Sequence, residues 1–109
     1  MNEQEFKNLA TQCLQRVEDW AEDFEPEEMD YEPMDGLIKL EFPGSKCFVL
    51  NRQAGNYQMW YAAGAHAWHY DWDPESGAWL NDRDGHNLFD CVRATVAEKL
   101  GREVPEIGG

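Results

Sequence analysis

Ten carboxylates fall between Glu18 and Asp35 (Glu18, Asp19, Glu22, Asp23, Glu25, Glu27, Glu28, Asp30, Glu32 and Asp35), with no Lys or Arg among them. Carboxylate oxygens are hard ligands suited to Mg²⁺, Ca²⁺, Mn²⁺ and iron, and a dense anionic patch also attracts basic protein surfaces. The whole 109-residue chain has 22 acidic and 9 basic residues, a net charge of −13. Without these ten the balance is 12 acids against 9 bases, a net of −3. The charge is therefore a local feature with a definite place on the surface. It repels nucleic-acid phosphates and anionic lipid, so neither nucleic acid nor membrane is expected as a partner.

Two kinds of element must hold these groups. Asn2 can cap a first helix with Glu5 at its third position. Phe6, Leu9, Ala10, Cys13, Leu14, Val17, Trp20, Ala21 and Phe24 then recur at three- and four-residue steps, and Pro26 is expected to stop the helix. From Met29 to Asn81 the period becomes two, with runs at Ile38–Phe42, Lys46–Gln53, Tyr57–Ala62, Ala67–Trp72 and Ala78–Asn81 joined by short turns. Pro33 lacks a backbone donor, which assigns the first strand to a sheet edge or breaks it early. A second helix starts near Asn87 and ends at Leu100 before Gly101, with Leu88, Phe89, Val92, Val96 and Leu100 as its apolar stripe. Both helices must bury a stripe on one face of a single antiparallel sheet of five or six strands. The fold class is α+β, a two-layer sandwich with one sheet face open, in one domain spanning 1–109 with a loose tail from Arg102.

On the first helix Glu18, Glu22 and Glu25, and likewise Asp19 and Asp23, repeat at steps of three and four on rows away from the apolar stripe. Like charges at those steps oppose a helix by about 0.2–0.5 kcal/mol per pair. Anions at a helix C-terminus lose roughly 0.3–1 kcal/mol each against the dipole. Local rules broken together in one place mark a functional site. The candidate metal-binding residues are Glu18, Asp19, Glu22, Asp23, Glu25, Glu27, Asp30 and Glu32. Spread along a helix edge and a strand, they cannot wrap an ion, so weak, poorly selective sites are expected. Asp30, Glu32, Asp35 and Glu41 echo a calcium loop, but Met34 and Gly36 fall at the wrong positions.

Other chemistry has little support. His66 and His69 lie three apart on a strand and point to opposite faces, and His86 precedes the second helix. No Ser-His-Asp arrangement, phosphate loop or helical H-E-x-x-H occurs, so the chain does not read as an enzyme. Cys13, Cys47 and Cys91 are widely spaced and read as reduced thiols acting as small hydrophobes. The chain is 42% hydrophobic with five Trp, too apolar for disorder, and Met1–Glu5 carries no secretory or transit signature, so the cytoplasm is expected. Strand alternation turns Phe48, Leu50, Met59, Tyr61, Trp68, Tyr70 and Trp72 toward the helices. It leaves Trp60 on the open face among Asn51, Gln53 and Gln58, with His69 and Asp71, either as an interface anchor or covered by its strand neighbours.

The set Met1-Asn2-x-x-Glu5-Phe6, the acidic run Glu18 to Glu32, Gly44-Ser45-Lys46, Asn51-Arg52-Gln53, Gln58-x-Trp60, His69-Tyr70-Asp71, Trp79 and Asp82-Arg83-x-Gly85 closely resembles the bacterial frataxin family over essentially the full length. The resemblance implies an αβα sandwich and weak Fe²⁺ and Fe³⁺ binding on the acidic ridge, with other divalent cations able to substitute. It implies a regulatory role in iron–sulfur cluster assembly, with Glu18, Asp19, Glu22 and Asp23 docking on the cysteine desulfurase. Asn51, Gln53, Gln58, Trp60 and His69 match positions that contact the assembly machinery, including the scaffold complex. A monomer is the default state. The alternatives are an iron-oxidising or iron-storing protein that oligomerises at high metal load, and an acidic decoy of a basic protein.

Overall fold

The structure is a computed structural model and describes residues 1–44 and 46–108. Helix α1 (Glu3–Ala21) leads into strands β1 (Asp30–Met34), β2 (Leu37–Phe42) and β3 (Lys46–Gln53). A 3-10 turn at Ala54–Asn56 precedes β4 (Gln58–Ala63), β5 (His66–Asp73), β6 (Ala78–Asn81) and helix α2 (Leu88–Leu100). The six strands form one antiparallel sheet in sequence order, so β1 and β6 are its edges and Pro33 sits on an edge as its missing donor requires. Both helix starts follow the sequence: Asn2 Oδ1 accepts from the Glu5 amide at 2.8 Å, and Asn87 Oδ1 from the Phe89 amide at 2.8 Å. Gly101 closes α2 in the left-handed region at φ 71°.

The core lies between the helices and one sheet face. Phe6, Ala10, Cys13, Val17 and Trp20 of α1 and Leu88, Val92 and Val96 of α2 are buried against Ile38, Leu40, Phe48, Leu50, Met59, Tyr61 and Tyr70. Trp68 and Trp72 are half-buried on the same side, the first stacked on Tyr61 at 5.8 Å and the second edge-on to Trp79 at 5.4 Å. Tyr57 does not begin a strand. It takes a left-handed φ of 53°, closing the 3-10 turn, and its ring stacks on Phe6 at 5.3 Å.

Two further features differ from expectation. Helix α1 ends at Ala21, well before Pro26, because the chain tightens into i→i−3 turns, with the Asp23 amide on Trp20 O at 3.3 Å and the Phe24 amide on Ala21 O at 3.1 Å. That turn swings Phe24 back into the core, edge-on to Trp20 with centroids 4.7 Å apart. The tail beyond Arg102 is not loose. Val104 and Ile107 are buried, Trp20 Nε1 donates to Pro105 O at 2.9 Å, and Arg93 Nε donates to Val104 O at 3.0 Å. Apolar side chains three apart in the tail fill the groove beside the helices, a spacing too short to register as an element.

Burial pushes the Cys13 thiol and the Tyr61 and Tyr70 phenols above their ordinary pKa values. A folded-state pKa raised above the unfolded one stabilises fully below the unfolded value and loses that contribution as pH climbs. Stability is therefore expected to decline once pH passes about 8.5–10, where an unfolded thiol and phenol ionise. Urea midpoints measured from neutral to strongly alkaline pH check this, and a flat profile would contradict it.

Candidate functional site

The carboxylates gather into one continuous ridge. Glu18 and Asp19 occupy the last turn of α1, Glu22 is its C-cap, Asp23, Glu25 and Glu27 line the following turns, and Asp30 and Glu32 stand on β1. Glu18 is half-buried and the other seven are exposed. No basic residue lies in the last turn of α1 to complement its dipole. Among the described residues none of these eight carboxylates has an ion-pair partner. The strand register continues the charge onto the sheet: Asp30 faces Glu41 directly across β1 and β2, while Glu32 faces Lys39. Tyr31 reads the resulting field. Partial burial and then the charges of Glu22 and Glu18 raise its pKa, and its hydroxyl donates to Glu22 Oε1 at 3.4 Å.

Because α1 ends early, the 22/25 step is not a helical pair, and only the spacings within Glu18–Asp23 carry the repulsion expected from the sequence. Asp19 also accepts from Gln15 Nε2 at 2.9 Å. Two of the ten acids do find cations that are remote in sequence. Arg52 reaches Asp35 at 3.4 Å, and Arg102 grips Glu28 with Nε to Oε2 at 2.8 Å and Nη2 to Oε1 at 2.6 Å. No three His, Cys, Asp or Glu side chains among the described residues converge on a common point that could hold an ion. The ridge thus offers charge density rather than a chelating cage, and an ion there would retain most of its water.

A second constellation lies on the open sheet face. Asn51 and His69 flank Trp60 across β3 and β5, and Gln53 and Asp71 flank Gln58 in the same way. Trp60 is half-buried because His69 covers it, the rings stacked at 4.3 Å and 14°. Trp60 Nε1 donates to Gln58 Oε1 at 3.0 Å, and Gln58 Nε2 donates to Asp71 Oδ1 at 3.1 Å and Asp82 Oδ2 at 3.2 Å. Asp82 also lies 3.9 Å from His69 Nδ1. Sequence alternation could not find Asp82, since it belongs to a loop. Buried Asn81 sets that loop, donating to His69 O and accepting from the Arg83 and Asp84 amides. The amides and rings are held in fixed orientations, the preorganised form that suits a protein contact.

The remaining groups behave structurally. His66 and His69 do point to opposite faces, as the register requires. His86 bridges Asp84 Oδ1 at 2.6 Å and the buried Tyr70 hydroxyl at 2.7 Å, fastening the loop before α2 to the sheet. Hydrogen bonds from the His86 backbone and ring hold the Asp84 carboxyl below its usual range. Cys13 is buried and Cys91 half-buried, but Cys47 is exposed, so the small-hydrophobe reading fails for that one thiol. It sits opposite Glu41, which takes the outward side of the alternation.

Residues 1–102 match the family model of the frataxin-like domain. The chain is 34% identical over 95% of its length to an iron-sulfur cluster assembly protein CyaY of Pseudomonas paraeruginosa, 95% of which is covered. Among solved structures, the frataxin of Psychromonas ingrahamii superposes with a TM-score of 0.84 at 31% identity, covering 95% of this chain and 96% of that one. A trimeric frataxin from the yeast Saccharomyces cerevisiae, complexed with ferrous, superposes with a TM-score of 0.66 at 25% identity over 94% of this chain and 88% of that one.

Proposed function

The chain belongs to the frataxin-like family, and from that premise we propose that it serves iron–sulfur cluster assembly as a non-enzymatic adaptor that docks on the cysteine desulfurase through the acidic ridge. Glu18, Asp19, Glu22 and Asp23 meet the basic surface of that enzyme, and the same ridge from Glu18 to Glu32 binds Fe²⁺ and Fe³⁺ weakly. Asn51, Gln53, Gln58, Trp60 and His69 present the preorganised sheet face to the scaffold complex. The observation that carries this reading is the set of eight carboxylates without ion-pair partners among the described residues, four of which crowd the C-terminal end of α1 where the helix dipole disfavours them. The name of the Pseudomonas relative supports the pathway. The ferrous-complexed yeast relative supports iron as one of the cations. Yeast frataxin is trimeric both with its full-length N-terminus and complexed with ferrous, which favours self-assembly as a second reading. The scattered geometry of the ridge suits docking better than oxidation at a defined centre.

Electrostatic docking has a direct signature. Raising ionic strength from about 0.1 M to about 1 M shortens the screening length from about 10 Å to about 3 Å. The affinity for the desulfurase is then expected to fall by about tenfold or more, chiefly through slower association. Calorimetric titration across that range tests it, and an affinity indifferent to salt would point to a contact made elsewhere.

A further inference from the structure

We propose that the turn at Asp35–Gly36 is a modification site, the place where the folded chain isomerises to isoaspartate, while the matching step at Asp84–Gly85 is locked against the same chemistry. These are the two Asp-Gly steps of the sequence. In the reaction the glycine nitrogen attacks the carboxyl carbon of the aspartate side chain. A C–N bond forms, and the hydroxyl leaves with the amide proton as water. Water then reopens the five-membered succinimide. Opening at the main-chain carbonyl breaks the original peptide bond and leaves the chain running through the β-carbon. One water is lost and one regained, so no other reactant is needed. Glycine favours the closure because it brings no Cβ against the forming ring.

The two sites match in backbone and exposure and differ in their tethers. Gly36 and Gly85 both have a φ of 77°. Both carboxylates meet water, with side-chain exposures of 94% for Asp35 and 71% for Asp84. At Asp84 both reacting groups are held. Its Oδ1 accepts from the His86 amide at 3.0 Å and lies 2.6 Å from His86 Nδ1. The Gly85 amide donates to Asn81 O at 3.0 Å, and the Asp84 amide to Asn81 Oδ1 at 3.1 Å. The bonds from His86 also hold the Asp84 carboxyl below its usual range, which depletes the neutral acid that loses its hydroxyl most readily. At Asp35 one long contact stands in their place, from Arg52 Nη2 at 3.4 Å. The Gly36 amide has no hydrogen-bond partner among the described residues.

Isomerisation here has a definite consequence. Met34 pairs with Leu37, so Asp35 and Gly36 are the whole link between β1 and β2, and an inserted backbone atom must displace the strand end. Gly36 O accepts from the Arg52 amide at 2.9 Å, and the Arg52 side chain packs where a Gly36 Cβ would stand, so the turn is also fastened to β3. The strand that is disturbed carries Asp30 and Glu32 of the ridge.

The test incubates the full chain for weeks at physiological pH and temperature, folded and in strong urea. Each step is then mapped with a protease that cleaves before aspartate but not before isoaspartate. In the folded chain isoaspartate is expected at residue 35 about tenfold or more faster than at residue 84, since each hydrogen bond that must first break costs about that factor. In urea the two rates should become similar. Asp35→Glu, which cannot close a five-membered ring, should abolish the signal at 35. His86→Ala should raise the rate at 84 while leaving that at 35 unchanged, which also reports that the variant stays folded. Equal rates in the folded chain, or a folded chain unmodified at 35 where urea modifies it, would overturn the proposal. A preference for 35 that persists undiminished in urea would overturn it too, because neighbouring residues rather than the fold would then set the rates.

Discussion

A chain truncated after Arg102 is expected to unfold at a temperature about 15 °C or more below that of the full chain. Val104 and Ile107 are both buried, and removing a fully buried aliphatic side chain costs about 1.5–3 kcal/mol by its apolar area alone. The two together account for about 3–6 kcal/mol of a domain whose whole margin is about 5–15 kcal/mol. At roughly 4–8 °C per kcal/mol for a domain of this size, the effect is large on any thermal scan. Losing the tail also uncovers Trp20, whose indole N–H would exchange the Pro105 carbonyl for water, and releases Arg93 from the Val104 carbonyl. The double substitution Val104→Ala with Ile107→Ala should reproduce most of the loss without shortening the chain. A truncated protein melting within about 3 °C of the intact one would show that these contacts contribute little in solution.

The tail also shows what can be read from a sequence and what cannot. Both helices, their N-caps, the glycine that closes α2 and strands β2 to β6 follow from apolar spacing and turn residues, because α1 and α2 each need a stripe and the sheet needs period two; β1, exposed at four of its five residues, carries no such alternation. Two residues such as Val104 and Ile107, separated by Pro105 and Glu106, make no periodic signal. Only the groove formed by distant elements gives them a place. The same limit applies to pairing. Nothing local announces that Arg102 meets Glu28 or that Arg52 meets Asp35, yet both partners come from outside the acidic run. Helix α1 ends before Pro26 for a related reason. Pro26 is a strong stop, but burial of Phe24 draws the chain into tight turns first, so tertiary packing decided before the local breaker could act. On the open face the alternation did place Asn51, Gln53, Gln58, Trp60 and His69 together. The stacking of His69 on Trp60 and the reach of Asp82 to Gln58 depend on side-chain directions and a loop path that alternation does not encode.

Replacing Glu18, Asp19, Glu22 and Asp23 by their amides is expected to make the protein more stable and less able to bind. The variant removes the repulsion at steps of three and four around the end of α1, about 0.2–0.5 kcal/mol per pair, together with the dipole penalty on the anions at that terminus, roughly 0.3–1 kcal/mol each. A gain of about 1–2 kcal/mol, or roughly 5–10 °C in melting temperature, follows after screening. The amides retain acceptor oxygens for the Gln15 and Tyr31 hydrogen bonds, so charge rather than local geometry is what changes. Millimolar divalent cation or added salt should produce part of the same stabilisation in the wild type and little in the variant, since the repulsion has already gone. Binding should move the other way: affinity for the desulfurase is expected to fall about a hundredfold, as four complementary charges leave the contact, with weaker metal binding alongside. The opposition of the two readouts is the point of the experiment. A merely structural helix end would lose stability with its side chains, and a merely solubilising one would leave binding untouched. Only a surface held under repulsion for a cationic partner gains in the first measurement while it loses in the second.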